Sequence, residues 1–364
     1  MSVPASPVPP DIVSLADYER HAREIIPAPA WAYMAGAGAD GLTRRWNREG
    51  FENLPLASRV LVDMNEATTG ISLFGREMPF PLILGPVAFQ KLAHPEGELA
   101  AALGAGAAGV WMTVSTQASV SLEQVAAAAH APLWFQLYKQ ARQSDTLSLV
   151  RRAEDAGYAA IVLTVDAPVT GVRNDEQRAG FRLPAGIEPV NIRGMAVAES
   201  RAVAGESPVF KGLLDAAPTW NDVAWLRSQT TLPLLLKGVM NSHDARLAVD
   251  QGVNGIIVSN HGGRTLDTLP ASIAALPSIV ASVGDRLPVL LDGGVRRGTD
   301  ILKALALGAK AVLIGQPIIH GLAVAGAVGV AHVIGILRTE LEAAMALAGR
   351  PTIASIDHTA IWNS

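Results

Sequence analysis

A chain of 364 residues that is 49% hydrophobic, only 17% charged and rich in glycine can build one large buried sheet, since α/β barrels run to about 200–400 residues as a single unit. Its net charge of −4 gives no general attraction to nucleic acid or anionic lipid, so neither is expected as a partner. Without cysteine there is no disulfide, no thiolate nucleophile and no Cys-ligated metal; no metal site is expected, and the cytoplasm is the default compartment.

Residues 1–13 are Pro-rich and have neither a basic n-region nor an apolar h-region, so they read as a disordered lead-in rather than a signal peptide or anchor. From Ser14 the spacing Leu15, Tyr18, His21, Ile25 predicts an amphipathic helix capped by Ser14 and ended by Pro27 and Pro29. Trp31 and Tyr33 precede a small-residue run and read as packing aromatics. The chain up to about Phe80 reads as an irregular cover.

Beyond it one phrase repeats: a short apolar strand, a polar or glycine break, then a helical stretch. Strands are predicted at 82–85, 109–114, 133–137, 160–165, 234–236, 255–258, 289–291 and 311–314, with helices such as 97–108, 122–129, 146–156 and 244–251 between them. Such alternation requires a parallel sheet, and eight strands are the number that closes a (β/α)8 TIM barrel. A doubly wound open sheet would normally carry a Gly-rich phosphate loop after its first strand, and Gly85-Pro86-Val87-Ala88 is not one. Residues 14–364 therefore form one barrel domain. The long interruption after the fourth strand, about 171–219, reads as a lid-like loop over the mouth. Residues 318–337 are almost wholly apolar, but His320, His332 and several glycines point to a buried or subunit-facing helix instead of a membrane span.

The most informative stretch runs from Gly255 to Asp267. An apolar run there breaks into Ser259-Asn260-His261-Gly262-Gly263-Arg264, which places an imidazole and a guanidinium at the C-terminal mouth of a strand, where barrels bind ligands. The other strand ends supply Ser115, Gln136, Tyr138, Thr164, Asp166, Lys237, Asp292 and Gln316. A single polar residue after a strand is only a solvated turn; eight strand ends on one face, nearly all of them polar, form a site. Gly293-Gly294-Val295-Arg296 after the seventh strand and Gly315 after the eighth lie where such barrels hold a phosphate, so the ligand is expected to carry one.

These motifs together with Lys91-Leu92-Ala93-His94-Pro95-Glu96-Gly97-Glu98 closely resemble the FMN-dependent 2-hydroxy-acid oxidase and dehydrogenase family, which includes glycolate, lactate and mandelate-oxidising enzymes. The likeness runs unbroken from about Tyr18 to Ala348. It implies FMN as cofactor, a small-molecule (S)-2-hydroxy acid as substrate, oxygen or another acceptor for the electrons, and a homo-oligomer, by family precedent a tetramer. It also implies roles. His261 is the base and Asp166 holds its imidazole; Arg264, Arg173 and the Tyr33 hydroxyl grip the substrate carboxylate; Tyr138 contacts the reacting hydroxyl; Lys237 lies where negative charge builds on the flavin. Pro86, Val87, Ala88, Ser115, Gln136 and Thr164 border the flavin ring, and Ser259, Asp292, Gly293, Gly294, Arg296, Gly315 and Gln316 bind its ribityl-phosphate tail.

Two positions depart from the family pattern. Gln316 stands where an arginine usually meets the phosphate, and an amide can donate a hydrogen bond but cannot pair charge. Gln117, beside Phe89 in the substrate wall, is neither the aromatic of glycolate oxidase nor the small residue of the lactate and mandelate enzymes, which leads us to expect a substrate larger than glycolate and mandelate-like. Two other readings stay open at this point: a flavin-free phosphate-binding barrel lyase or isomerase using Lys237 as a Schiff base, and a catalytically silent ligand-binding barrel.

Overall fold

The computed structural model describes residues 8–362. Of the expected lead-in, residues 1–7 lie outside the described residues; in the rest Ile12 is buried, its N–H donating to Pro9 O. Helix α1 (Leu15–Ile25) begins as expected, Ser14 Oγ accepting from the Asp17 N–H. The prolines that end it also start the next element. Pro27 is the N-cap of α2 (Ala28–Ala35) and Pro29 lies in its first turn, where a missing N–H costs nothing.

Helix α3 (Leu42–Glu52) follows, capped from far away. Its own N-cap, Gly41, has no side chain to offer, and the carboxylate of Asp267 accepts from the N–H groups of Asp40, Leu42 and Thr43 instead. A hairpin of β1 (Ile71–Leu73) and β2 (Arg76–Met78) turns through Phe74 and Gly75, both at positive φ, as a two-residue turn requires. The stretch ahead of the barrel is thus more regular than its sequence suggests.

The eight expected strands are all present, as β3 (Leu82–Leu84), β4 (Trp111–Ser115), β5 (Leu133–Leu137), β6 (Ala160–Thr164), β7 (Leu234–Val239), β8 (Gly255–Val258), β9 (Val289–Leu291) and β10 (Val312–Ile314). They are parallel throughout and close when β10 pairs with β3, Val312 opposite Leu82, which rules out the open doubly wound sheet. The intervening helices include α4 (Glu98–Ala107), α5 (Leu122–Ala128), α6 (Gln143–Asp155), the short α7 (Asn174–Arg178), α8 (Trp220–Gln229), α9 (Ser242–Asp250), α10 (Ser272–Val283) and α11 (Gly298–Ala306).

Side chains alternate across a strand, so residues two apart share the barrel interior. Ile83, Trp111, Trp134, Val162, Leu235, Ile257, Leu290 and Leu313 form one apolar cluster, joined by Leu73 and Met78 of the hairpin. Two residues further on, the same inward series reads Gln136, Thr164, Lys237, Ser259, Asp292 and Gly315. An apolar plug therefore fills the lower barrel and polar groups occupy its C-terminal mouth.

The connection 171–219 holds α7 and two 3-10 turns before α8, and its Ile192, Met195, Val197, Val209 and Leu213 wall the mouth. Helix α12 (Gln316–Ala348) is long and apolar enough to cross a membrane, yet its apolar window is 72% buried inside the molecule. It breaks at Ala325 and Gly326, where φ reaches +56° at the glycine, a conformation suited to a residue without Cβ. It packs as a core helix of the barrel's outer ring.

Candidate active site

A cavity of about 1350 Å³ opens at the C-terminal end of the strands. It is lined by Tyr33, Pro86, Val87, Ala88, Phe89, Ser115, Gln117, Gln136, Tyr138, Thr164, Arg173, Lys237, His261, Arg264, Asp292, Gly293, Gly294, Arg296, Gly315 and Gln316, which are all but two of the residues singled out from the sequence. Asp166 and Ser259 stand behind the wall and act on it through their neighbours. The fully buried hydroxyl of Ser259 accepts from Lys237 Nζ at 3.0 Å and from the His261 N–H at 3.0 Å.

His261 has φ +56° and is followed by Gly262 and Gly263 at +64° and +75°, so the chain makes three successive left-handed steps. The two glycines take them without strain, and a Cβ on Gly263 would collide with the Arg44 backbone. The turn presents the imidazole with Nδ1 at 2.9 Å from Asp166 Oδ1. Burial disfavours charge on Asp166, but the adjacent His261 and Lys237 outweigh it and hold its carboxyl below the usual aspartate range. An ionised carboxylate only accepts, so Nδ1 carries the proton and the lone pair of a neutral ring is on Nε2.

Lys237 is buried and pairs with Asp292 Oδ2 at 3.1 Å. Burial alone would lower its pKa; Asp292 and Asp166 reverse that, and the ammonium is held above its ordinary value. Burial pushes the Tyr138 phenol up to about 12, so it remains a proton donor at neutral pH. Across the cavity, Arg264 Nη1 donates to Gly36 O at 2.8 Å and the guanidinium lies 5.4 Å from the centre of the Tyr33 ring. Burial and the nearby Arg173 lower Arg264 to about 10, which leaves it charged at neutral pH.

The other end of the cavity is a cationic seat. Arg296 Nη1 donates to Val295 O at 2.9 Å and Nη2 to Gln316 Oε1 at 2.6 Å, both neutral acceptors. Gln316 Nε2 reaches back to Met34 O at 3.3 Å, tying this seat to α2. Arg44 and Arg48 of α3 line the same end; Arg48 is held by Asp300 at 2.6 Å, whereas the guanidinium of Arg44 is bonded to Ala35 O and stands 3.8 Å from Glu19. Neither Arg44 nor Arg48 was singled out from the sequence, because α3 reaches the cavity only through long-range contacts. Asn47 of α3 exchanges two amide hydrogen bonds with Asn260, 2.9 and 2.8 Å long, and so locks the helix to the His261 loop.

These residues fit FMN. Asp292 Oδ1 is buried with no partner, an acceptor that a ribityl hydroxyl would satisfy. Gly293 and Gly294, at φ +91° and +89°, turn the chain beside Arg296, where a phosphate would meet a partly buried guanidinium whose side-chain hydrogen bonds, among the described residues, go to neutral acceptors. Gln136 is fixed as part of the ring-bordering wall by Ser115 Oγ at 3.2 Å and Thr164 Oγ1 at 2.9 Å.

The sequence matches the family model for FMN-dependent dehydrogenase over residues 22–363. It is 45% identical to an L-lactate oxidase of Alicycliphilus denitrificans over 362 residues, 99% of each chain, and 41% identical to glycolate oxidase 3 of Arabidopsis thaliana, over 96% of each. Among solved structures, mandelate oxidase with benzoyl-formic acid superposes with a TM-score of 0.88 at 42% identity, covering 97% of this chain and 98% of that one. A match of this length and identity leaves no place for a flavin-free lyase: the chain belongs to the family of FMN-dependent 2-hydroxy-acid oxidoreductases, and FMN is its cofactor.

Proposed function

We propose that the protein oxidises an (S)-2-hydroxy acid larger than glycolate, mandelate-like, to the 2-oxo acid, with His261 as base and oxygen as the final acceptor. The observation that carries this reading is the His261–Asp166 pair: a carboxylate on Nδ1 leaves Nε2 as the basic atom, in the same cavity as Arg173 and Arg264. Bound FMN supplies the two-electron acceptor. Arg264 and Arg173 bind the substrate carboxylate and so fix which face of the α-carbon is presented. His261 Nε2 takes a proton from the substrate, and the imidazolium that forms is stabilised by Asp166. Tyr138, a neutral phenol, donates to the reacting oxygen. Lys237, kept as an ammonium, stabilises negative charge arriving at its end of the cavity. The same charge speaks against Lys237 as a Schiff-base nucleophile, which must be neutral to attack. A silent binding barrel would have no use for a carboxylate-held imidazole.

Support for a larger substrate comes from the wall. Gln117 and Phe89 both line the cavity, Phe89 N–H donating to Gln117 O at 3.1 Å, and the apolar Met195 and Val197 line the same cavity. Each additional buried CH₂ contributes roughly 0.8 kcal/mol, so an aryl group gains several kcal/mol over glycolate. The names of the relatives, lactate and mandelate oxidases among them, support the choice of oxygen as acceptor. The test is steady-state kcat/KM for (S)-mandelate, (S)-lactate and glycolate, with and without oxygen. A value for glycolate equal to that for mandelate removes the large-substrate reading, and turnover that needs a carrier other than oxygen removes the oxidase reading.

A further inference from the structure

Glu176 places a carboxylate inside the cation pair assigned above to the substrate. Its Oε1 is 3.0 Å from Arg173 Nη1 and 3.5 Å from Arg264 Nη2, the side chain lines the cavity, and all three groups are only 16–17% exposed. No other carboxylate is paired with either guanidinium among the described residues. Arg173 and Glu176 form an i,i+3 pair at the start of α7, and Arg264 comes from the loop after β8, so the carboxylate also meets a cation that another element supplies.

We propose that Glu176 is an internal competitor for the Arg173–Arg264 pair, weakening the hold on substrate and product carboxylates alike and thereby setting how fast the 2-oxo acid leaves. The proposal rests on the reading that these two arginines bind the carboxylate. Two recessed guanidiniums facing a cavity would grip any carboxylate, and substrate and product carry the same one. Such binding is uniform along the reaction; it lowers KM without helping the chemical step and slows release of product. An anion already seated between the cations reduces that grip, because an incoming carboxylate must share the two guanidiniums or displace Glu176 from them. Tyr33, stacked on Phe181 with ring centres 4.7 Å apart and facing Arg264, adds no second negative charge, since burial pushes its phenol pKa up.

A merely structural Glu176 makes the opposite prediction. If its task were to hold the two arginines in place, its loss would loosen them and weaken anion binding. The sign of the change therefore decides. The measurement is titration of the FMN-loaded protein with benzoylformate, followed by perturbation of the flavin spectrum, for wild type, Glu176→Gln, Glu176→Asp and Arg264→Lys. Glu176→Gln is expected to bind benzoylformate about tenfold tighter, about 1.4 kcal/mol, with the methyl ester of the same acid unchanged. Glu176→Asp, which keeps the charge, is expected near wild type. In turnover, Glu176→Gln is expected to lower KM and kcat together. Unchanged or weaker binding in Glu176→Gln overturns the proposal. If that variant does not load FMN, Glu176→Ala removes the same charge and is judged by the same sign. Unchanged binding in Arg264→Lys would instead overturn the clamp on which the proposal rests, and so separates the two failures.

Discussion

His261 Nδ1 and Asp166 Oδ1 stand 2.9 Å apart at the barrel mouth, although the residues are separated by 95 positions and enter from β8 and β6, which are not neighbours in the sheet. Lys237 of the intervening strand β7 completes the arrangement, adding to the field that keeps Asp166 charged. The pair makes a stability prediction. A carboxyl held below its ordinary value contributes stability above about pH 3.9, the unfolded value, and loses it as the pH falls through the depressed folded value. Asp166→Asn is therefore expected to be less stable than wild type at pH 7, by on the order of 1–3 kcal/mol, because the buried Lys237 ammonium loses a nearby counter-charge and the His261 Nδ1–H loses its charged acceptor. The gap should close in strong acid. Thermal melts from pH 7 to about pH 2 measure it, and a gap that stays constant across the range would show that Asp166 is not preferentially ionised in the fold.

The clamp predicts a failure of conservative substitution. Arg264→Lys or Arg173→Lys keeps the charge but loses the planar fork that meets a carboxylate with two parallel bonds. Each is expected to lower kcat/KM by about tenfold or more, with FMN still bound. Wild-type kinetics in either variant would remove that residue from the clamp.

Gln316 and Arg44 make a paired prediction about the cofactor. Gln316 is already spent on Arg296 and Met34 O, and Arg44 brings a second cation to the same end of the cavity. A charge-assisted hydrogen bond contributes about 1.5–3 kcal/mol, so Arg44→Ala is expected to weaken FMN by about tenfold or more and to leave riboflavin, which has no phosphate, unaffected. Gln316→Arg should restore FMN affinity in the Arg44→Ala background and add less than that to wild type. Titration of apoprotein with both ligands measures this; a full tenfold gain from Gln316→Arg in wild type would mean that Arg44 does not reach the phosphate.

The substrate wall predicts that Gln117→Trp selects for small acids, because an indole occupies volume that an amide leaves open. The ratio of kcat/KM for mandelate to that for glycolate should fall by at least tenfold. An unchanged ratio would mean that Gln117 does not face the bound side chain.

Much of the barrel was legible because each strand is a short apolar run that breaks into polar residues: Trp134-Phe135 before Gln136, Leu235-Leu236 before Lys237 and Leu290-Leu291 before Asp292 each announce a strand with a polar mouth. What stayed hidden depended on partners distant in sequence. The start of α3 has no local signal, since Gly41 offers no cap and the carboxylate that replaces it is Asp267. Pro27 and Pro29 read equally well as the end of one helix or the beginning of another. In the site, the hydrogen bonds that tie Ser259 to Lys237 and to the His261 N–H cannot be read from the strand pattern. Glu176 and Arg44 were invisible for the same reason as Asp267: their importance lies in cations or cavities that another part of the chain supplies.

The central claim is that His261 takes the proton that oxidation of the substrate releases. Anaerobic stopped-flow reduction of the bound flavin by (S)-mandelate, in wild type and in His261→Ala, tests it without involving the electron acceptor. The account predicts that His261→Ala keeps its FMN and that its flavin is reduced about 10²–10⁴-fold more slowly, the range for removal of a general base. Reduction at the wild-type rate in a fully loaded His261→Ala protein would contradict it.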